Sequence, residues 1–271
     1  MSGGERQNMP AYETLDYAMD DGIVVITLAR PERHNALNSV MDRELPLAWR
    51  RFEEDPEARV AIITGSGRAF CVGADLADLP RQDETVDIDA IRWTSLQNRV
   101  WKPVIAAVNG MACGGGLHFV ADSDIVLAAD HATFFDPHVA VGLASVMEPI
   151  CLARRMPLGA VLRLALVGGS ERLSAGEALR LGMVDEVLAP DRLMARAREL
   201  AALIKRHSPS ALKRSKQAIW EAQELGLTDA LKQGWRHIEA QMAHPDVSEG
   251  AQAFLERRPA QWRPYEPDGE V

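Results

Sequence analysis

Three consecutive glycines, Gly114-Gly115-Gly116, separate the apolar run Val104–Val108 from a second apolar run, Leu117–Ala121. Without Cβ atoms the backbone can turn sharply there, and amide N–H groups are left bare where the second run reads as the start of a helix. Bare amides in that position stabilise negative charge. The segment runs on to His118, and twenty residues later the sequence reads Asp136-Pro137-His138. Imidazole titrates near neutrality and, when neutral, carries one donor and one acceptor nitrogen, so His118 and His138 are candidates for proton transfer beside the glycines. The competing reading is structural: the glycines let two backbones pack closely, and both rings fill and hydrogen-bond a wall.

Two upstream segments shift the balance. In Val60–Leu76 a β-rich run ends at Thr64, a Gly65-Ser66-Gly67 turn follows, and a short apolar stretch leads into Gly73-Ala74-Asp75. In Ile26–Asn38 a strand breaks at Pro31 and enters a helix through Asn38. Three such segments in this order and spacing resemble the enoyl-CoA hydratase/isomerase (crotonase) superfamily, from about Ile26 to Val187, with a helical tail of matching length behind. The resemblance implies an α/β fold, a crotonase-like spiral of stacked β–β–α units with a helical C-terminal region. It divides the chain into a polar N-terminal tail (1–10), an α/β core (11–189) and a helical, trimer-forming region (190–271). The substrate is then an acyl-CoA thioester, with coenzyme A entering as part of the substrate and no permanently bound cofactor, and the assembly a homotrimer or homohexamer.

Carried over residue by residue, the resemblance makes the amides of Ala74 and Gly115 the pair that holds the thioester carbonyl and the enolate formed from it. Two amides in a dry pocket contribute several kcal/mol to such an oxyanion, about 3 per donor. Arg33 falls where the family commonly has a basic residue near the nucleotide. Ala36, Ala74, Asp75 and Leu76 would line the pantetheine and adenine path, with Asp75 fixing its loop. Typical hydratases of the family have glutamates where this chain has His118 and His138; those carboxylates position water and exchange its proton with the α-carbon. A functional exchange would leave a less basic pocket run by a histidine pair. It leaves open an acyl-CoA hydrolase or C–C bond-cleaving enzyme (retro-Claisen cleavage or decarboxylation), and a non-catalytic acyl-CoA-binding protein.

Two further carboxylates bear on the exchange. Asp136 can orient His138, although strict alternation along a strand would point it the other way. Glu148 lies in Leu143–Arg155, predicted helical, where the family often has a glycine-rich turn. It either faces the acyl chain as an additional base or is an ordinary surface charge.

A chain of 271 residues that is 47% hydrophobic can bury one large core plus an appendage. Its net charge of -9 and pI of about 5.3 argue against a nucleic-acid partner. No run approaches the roughly 18 apolar residues of a membrane span, and the polar start has no signal-peptide pattern, so the expected location is cytoplasmic. Three cysteines without CxxC or CxxH spacing suggest reduced thiols and no metal site; Cys71 and Cys113 are expected to pack as small hydrophobes. Neither nucleotide-binding glycine fingerprint is met.

The predicted elements are a hairpin (Tyr12–Tyr17 and Gly22–Leu28, turning at Asp21-Gly22), a helix over Met41–Glu53, and strands at Arg59–Thr64, Pro103–Val108 and Ile125–Ala128 with helical stretches between them. Leu79–Ile88 is predicted to be a mobile surface loop. From Pro190 four amphipathic helices are expected, with Trp220, Trp235 and Trp262 as packing anchors.

Overall fold

The computed structural model of the chain describes residues 12–78 and 91–267. The predicted tail at 1–10 and the predicted loop Leu79–Ile88 lie outside these residues. Strands β1 (Leu15–Asp20) and β2 (Ile23–Leu28) pair antiparallel across Asp21-Gly22, both at positive φ (46° and 73°), the two-residue turn whose twist matches its strands. Helix α1 (Ser39–Glu54) starts where the Asn38 side chain accepts from the Met41 amide at 3.0 Å. It buries Met41, Leu45, Ala48, Trp49 and Phe52, one stripe at helical spacing.

Five strands then run parallel: β2, β3 (Val60–Gly65), β5 (Val104–Val108), β7 (Ile125–Ala129) and β10 (Glu186–Leu188), with β1 at one edge. Alternate residues serve opposite faces. Ile26, Ile63, Ala106 and Val126 join the core under α1, while Val25, Ile62, Ile105 and Leu127 pack against Leu193, Ala197 and Ala201 of α6 (Pro190–Ile204). Burial on both faces explains why these strands read as continuous apolar runs.

A second, smaller sheet was not anticipated. It orders β4 (Ala69–Cys71), β6 (Met111–Cys113), β8 (Thr133–Phe135) and β9 (Leu173–Ser174), the first three parallel and β9 antiparallel. Each turn of the chain contributes one strand to each sheet (β3 then β4, β5 then β6, β7 then β8), which is the stacked β–β–α spiral. Helix α2 (Gly116–Asp122) follows β6. Among the described residues no helix joins β3 to β5, and β4 occupies part of that connection; the rest of it, 79–90, lies outside the described residues.

The helix expected over Leu143–Arg155 shrinks to α3 (Met147–Leu152). The residues before it are tied elsewhere, with the Leu143 amide donating to the His138 carbonyl at 2.9 Å and the Ser145 hydroxyl to Asp136 at 2.5 Å. Helices α4 (Leu158–Val167) and α5 (Ala175–Arg180) complete the core before α6. The tail is helical as expected: α7 (Pro209–Glu221), α8 (Leu227–Met242) and α9 (Pro245–Glu256). Trp220 donates to Asp124 and Trp262 to the Arg206 carbonyl, whereas Trp235 is exposed on α8 beside Leu231, Ile238 and Met242.

The segment after α9 returns to α1. Tyr265 hydrogen-bonds Glu53 at the end of α1, and its ring lies 4.3 Å from the Lys102 ammonium. Lys102 donates to the carbonyls of Phe52 and Asp55, and burial pulls its pKa down to about 8. No helix among the described residues is long and apolar enough to cross a membrane.

Candidate active site

Gly73-Ala74-Asp75, the triple glycine and Asp136-Pro137-His138 meet because they follow β4, β6 and β8, adjacent parallel strands of the small sheet, while the Ile26–Asn38 segment reaches them through Leu37. Loops at the carboxyl ends of neighbouring parallel strands necessarily lie side by side. After β4, Leu37 bridges Ala74: its amide donates to Gly73 O at 2.8 Å and its carbonyl accepts from Asp75 N at 2.7 Å. Bonds on that side of the segment turn the Ala74 N–H the other way. After β6, Gly115 caps α2, and its amide precedes the helical ladder. Among the described residues neither amide donates to a protein acceptor.

The two loops touch through Gly73. At φ +82°, a Cβ there would sit 2.7 Å from the Gly115 nitrogen and 3.0 Å from the Cys113 carbonyl oxygen, closer than side chains allow. Gly116 is equally constrained, since a Cβ would lie 2.2 Å from the Cys71 carbonyl oxygen. The glycines thus let backbones pack closely, and that packing brings the loops carrying the two bare amides into contact.

His118, on α2, is 1% exposed, and His138 begins the 3-10 turn His138–Val141. Between them lies Glu148 of α3, itself 6% exposed. Its Oε1 is 3.5 Å from His118 Nε2 and 3.9 Å from His138 Nε2. It is not a surface charge; both rings point their Nε2 atoms at one buried carboxylate. His138 turns its other nitrogen, Nδ1, to Asp136 at 2.5 Å, and the same carboxylate accepts from the His138 amide and from Ser145. Asp136 is fully buried, so the alternation argument fails: β8 ends at Phe135 and releases Asp136 from strand geometry.

The hydrogen bond to Asp136 raises the His138 pKa above its ordinary value; burial opposes the shift, and the Glu148 charge adds to it. Burial alone would raise Asp136, but hydrogen bonds from the His138 ring, Ser145 and the His138 amide together hold it below the usual carboxylate range. Asp136, His138 and Glu148 offer ligand atoms within 4.8 Å of one another. Within this group Asp136 and His138 Nδ1 already bind each other.

His118 has an edge-on partner in Trp93 (ring centroids 5.6 Å apart) and no hydrogen-bond partner for its buried Nδ1 among the described residues. Four residues on, Asp122 accepts from Thr94 at 2.6 Å, and burial raises its pKa. Asn35 braces the floor, donating to the carbonyls of Ser66, Ala69 and Phe70 and accepting from the Arg30 amide. Trp93, Thr94, Asp122 and Ser145 have no motif of their own, and Asn35, although inside the Ile26–Asn38 segment, was not singled out; apart from Ser145, their roles depend on partners distant in sequence.

Of the expected coenzyme A contacts, Arg33 and Leu76 are exposed and Ala36 is buried. Asp75 pairs with Arg30 at 3.0 Å, and this hydrogen bond, with one from the Ala77 amide, lowers its pKa. Burial pushes the thiols of Cys71 and Cys113 up to about 12, so neither is a ready nucleophile.

A spiral of stacked β–β–α turns with bare amides at the ends of adjacent strands defines a crotonase-type fold. Solved structures agree: an enoyl-CoA hydratase/isomerase from Mycobacterium paratuberculosis superposes with a TM-score of 0.88 at 35% identity over 93% of this chain and 99% of its own. An enoyl-CoA hydratase from Mycobacterium tuberculosis gives 0.84 at 30% identity over 92% and 98%. The chain belongs to the enoyl-CoA hydratase/isomerase family, a family of acyl-CoA enzymes, whose sequence profile matches residues 18–264. Among curated relatives, a mevalonyl-coenzyme A hydratase of Aspergillus fumigatus is 38% identical over 89% of this chain and 92% of its own length. A 2,3-dehydroadipyl-CoA hydratase of Escherichia coli is 33% identical over 87% and 93%.

Proposed function

We propose that the chain is a hydratase that adds water across the α,β double bond of an enoyl-CoA thioester. The observation that carries this reading is the Glu148 carboxylate lying between the Nε2 atoms of His118 and His138. It returns to the site the carboxylate chemistry that the histidine replacements removed. The amides of Ala74 and Gly115 hold the thioester oxygen as it gains charge. His138 Nε2 takes a proton from water while the hydroxide oxygen bonds C3. That proton then reaches C2 by way of Glu148 as the enolate collapses, so one water is added and every group returns to its starting state. Asp136 keeps Nδ1 protonated, leaves Nε2 as the acceptor and favours the imidazolium that forms. His118 holds Glu148 from the other side.

Relatives named as hydratases of CoA thioesters support the reaction class. Arg33, Ala36, Asp75 and Leu76 are assigned to the coenzyme A path, with coenzyme A entering as part of the substrate. The exposed apolar face of α7 and α8, including Leu231, Trp235 and Met242, supports assembly into a homotrimer or homohexamer. Three free thiols are in keeping with a cytoplasmic setting.

The test is a mass-spectrometric product screen of the purified protein against enoyl-, β-keto- and cyclic acyl-CoA esters. A gain of water with CoA retained is expected. Release of CoA or cleavage of the chain would replace this reading with a hydrolase or C–C bond-cleaving enzyme, and binding with no product would leave an acyl-CoA-binding protein.

A further inference from the structure

We propose that Trp93 is the specificity-determining wall of the acyl site and restricts this chain to compact acyl groups; the inference rests on the acyl-CoA reading above. The glycine turn after β6 has two differently furnished sides. A Cβ on Gly114 would face His138 Cε1 at 3.6 Å, whereas one on Gly115 would meet Trp93 Cζ3 at 3.1 Å and Leu37 Cδ1 at 3.2 Å. The indole therefore covers the turn that presents the Gly115 amide. From there it reaches His118, against whose ring it stands edge-on at 69°. An acyl group whose carbonyl is held by Gly115 and whose next carbons lie beside His118 meets the indole within a few bonds.

The ring is also fixed. Its Nε1 donates to Asp42 of α1 at 2.7 Å. Its backbone is held on both sides, the amide donating to Gln97 at 2.8 Å and the carbonyl accepting from Trp49 at 2.8 Å. Swinging the indole aside to admit a long chain breaks the Asp42 bond and removes the ring that keeps His118 upright. A freely rotatable side chain at this position would yield to longer substrates; this one hangs from a braced backbone and is tethered at its indole nitrogen.

The experiment measures binding of saturated butyryl-, hexanoyl- and decanoyl-CoA by titration calorimetry to the wild type, Trp93→Phe, Trp93→Ala and Asp42→Ala, followed by hydration of the matching enoyl esters. The wild type is expected to prefer butyryl-CoA. Trp93→Ala should raise the decanoyl-to-butyryl affinity ratio by roughly tenfold or more, since a single methylene against a pocket wall is worth at least about that. Trp93→Phe should fall between, and Asp42→Ala should shift the ratio in the same direction with the indole still present. Parallel losses for all three esters, or an unchanged ratio in Trp93→Ala, would overturn the inference. Because saturated esters cannot be hydrated, their ratio reports on Trp93 even if the enoyl esters yield no product. Absence of binding by the wild type to every ester would instead sink the acyl-CoA reading itself.

Discussion

Gly73→Ala is the sharpest perturbation of the proposed oxyanion pair, because Gly73 touches both loops and carries no side chain that could take part in chemistry. The added Cβ would sit 2.7 Å from the Gly115 nitrogen, where ordinary contact begins near 3.4 Å, so the loops must open by some 0.7 Å. Catalytic constellations tolerate displacements of about 0.5 Å. Misaligning one oxyanion donor costs about 3 kcal/mol, or 10²–10³ in kcat. Positive φ (82°) adds about 1–2 kcal/mol of folding cost for a residue with a Cβ. The variant should therefore remain folded with a Tm lower by several degrees, lose at least about a hundredfold in kcat, and bind a saturated acyl-CoA within about tenfold of the wild type. Steady-state hydration of the best enoyl ester, beside calorimetric binding and a thermal melt, measures all three. A folded Gly73→Ala protein with kcat within about threefold of the wild type would refute the assignment of Ala74 and Gly115 as a geometrically demanding pair.

Other outcomes follow from the buried cluster. Asp136→Asn removes the group that raises His138, so the acidic limb of the kcat/KM–pH profile should move to lower pH while the maximum rate falls by about 10²–10⁴; an unmoved limb would exclude His138 as the titrating base. The sign for stability is fixed by the same pair. His138, raised, contributes stability below the pKa of a free histidine that is lost as pH rises past its folded value, and Asp136, lowered, contributes stability above that of a free carboxyl that is lost in acid. Asp136→Asn should therefore lower the Tm near neutrality and flatten its decline in acid, read from melts across pH. Glu148→Gln keeps shape and removes the shared charge, so it should reduce kcat by about 10²–10⁴ with little change in ester binding; single-turnover assays would detect a full-rate variant that contradicts the proton route. Asn35→Ala strands a buried amide and three carbonyls, and urea unfolding should register a loss of about 2–4 kcal/mol.

The candidate site was half legible in the sequence, and the division has a physical cause. Gly73-Ala74, Gly115 and His138 announce themselves because each lies just past the end of a strand, with His118 on the helix that follows β6, and strand ends in a spiral fall on one side by construction. The strands of the small sheet themselves do not, since two- and three-residue strands are too short to display a period. Glu148 was ambiguous for a related reason. Where α3 begins depends on Ser145 and Leu143 binding backward to Asp136 and His138, contacts that no helical propensity encodes. Trp93 was silent because Asp42, fifty-one positions earlier, is what fixes its ring. The large sheet was the easiest to read, because burial on both faces leaves runs such as Val60–Thr64 almost wholly apolar.

The return of Tyr265 to Glu53 joins residues 212 positions apart. During synthesis at about 5–20 residues per second, α1 leaves the ribosome roughly 10–40 seconds before its last partner is made. Until then the Glu53 carboxylate lacks the phenol, and the Lys102 ammonium lacks the ring that finally covers it. The strands and α6 precede Tyr265 in the chain, so this contact is a latch closing on a sheet already made. A chain stopped before Tyr265 would leave that latch open.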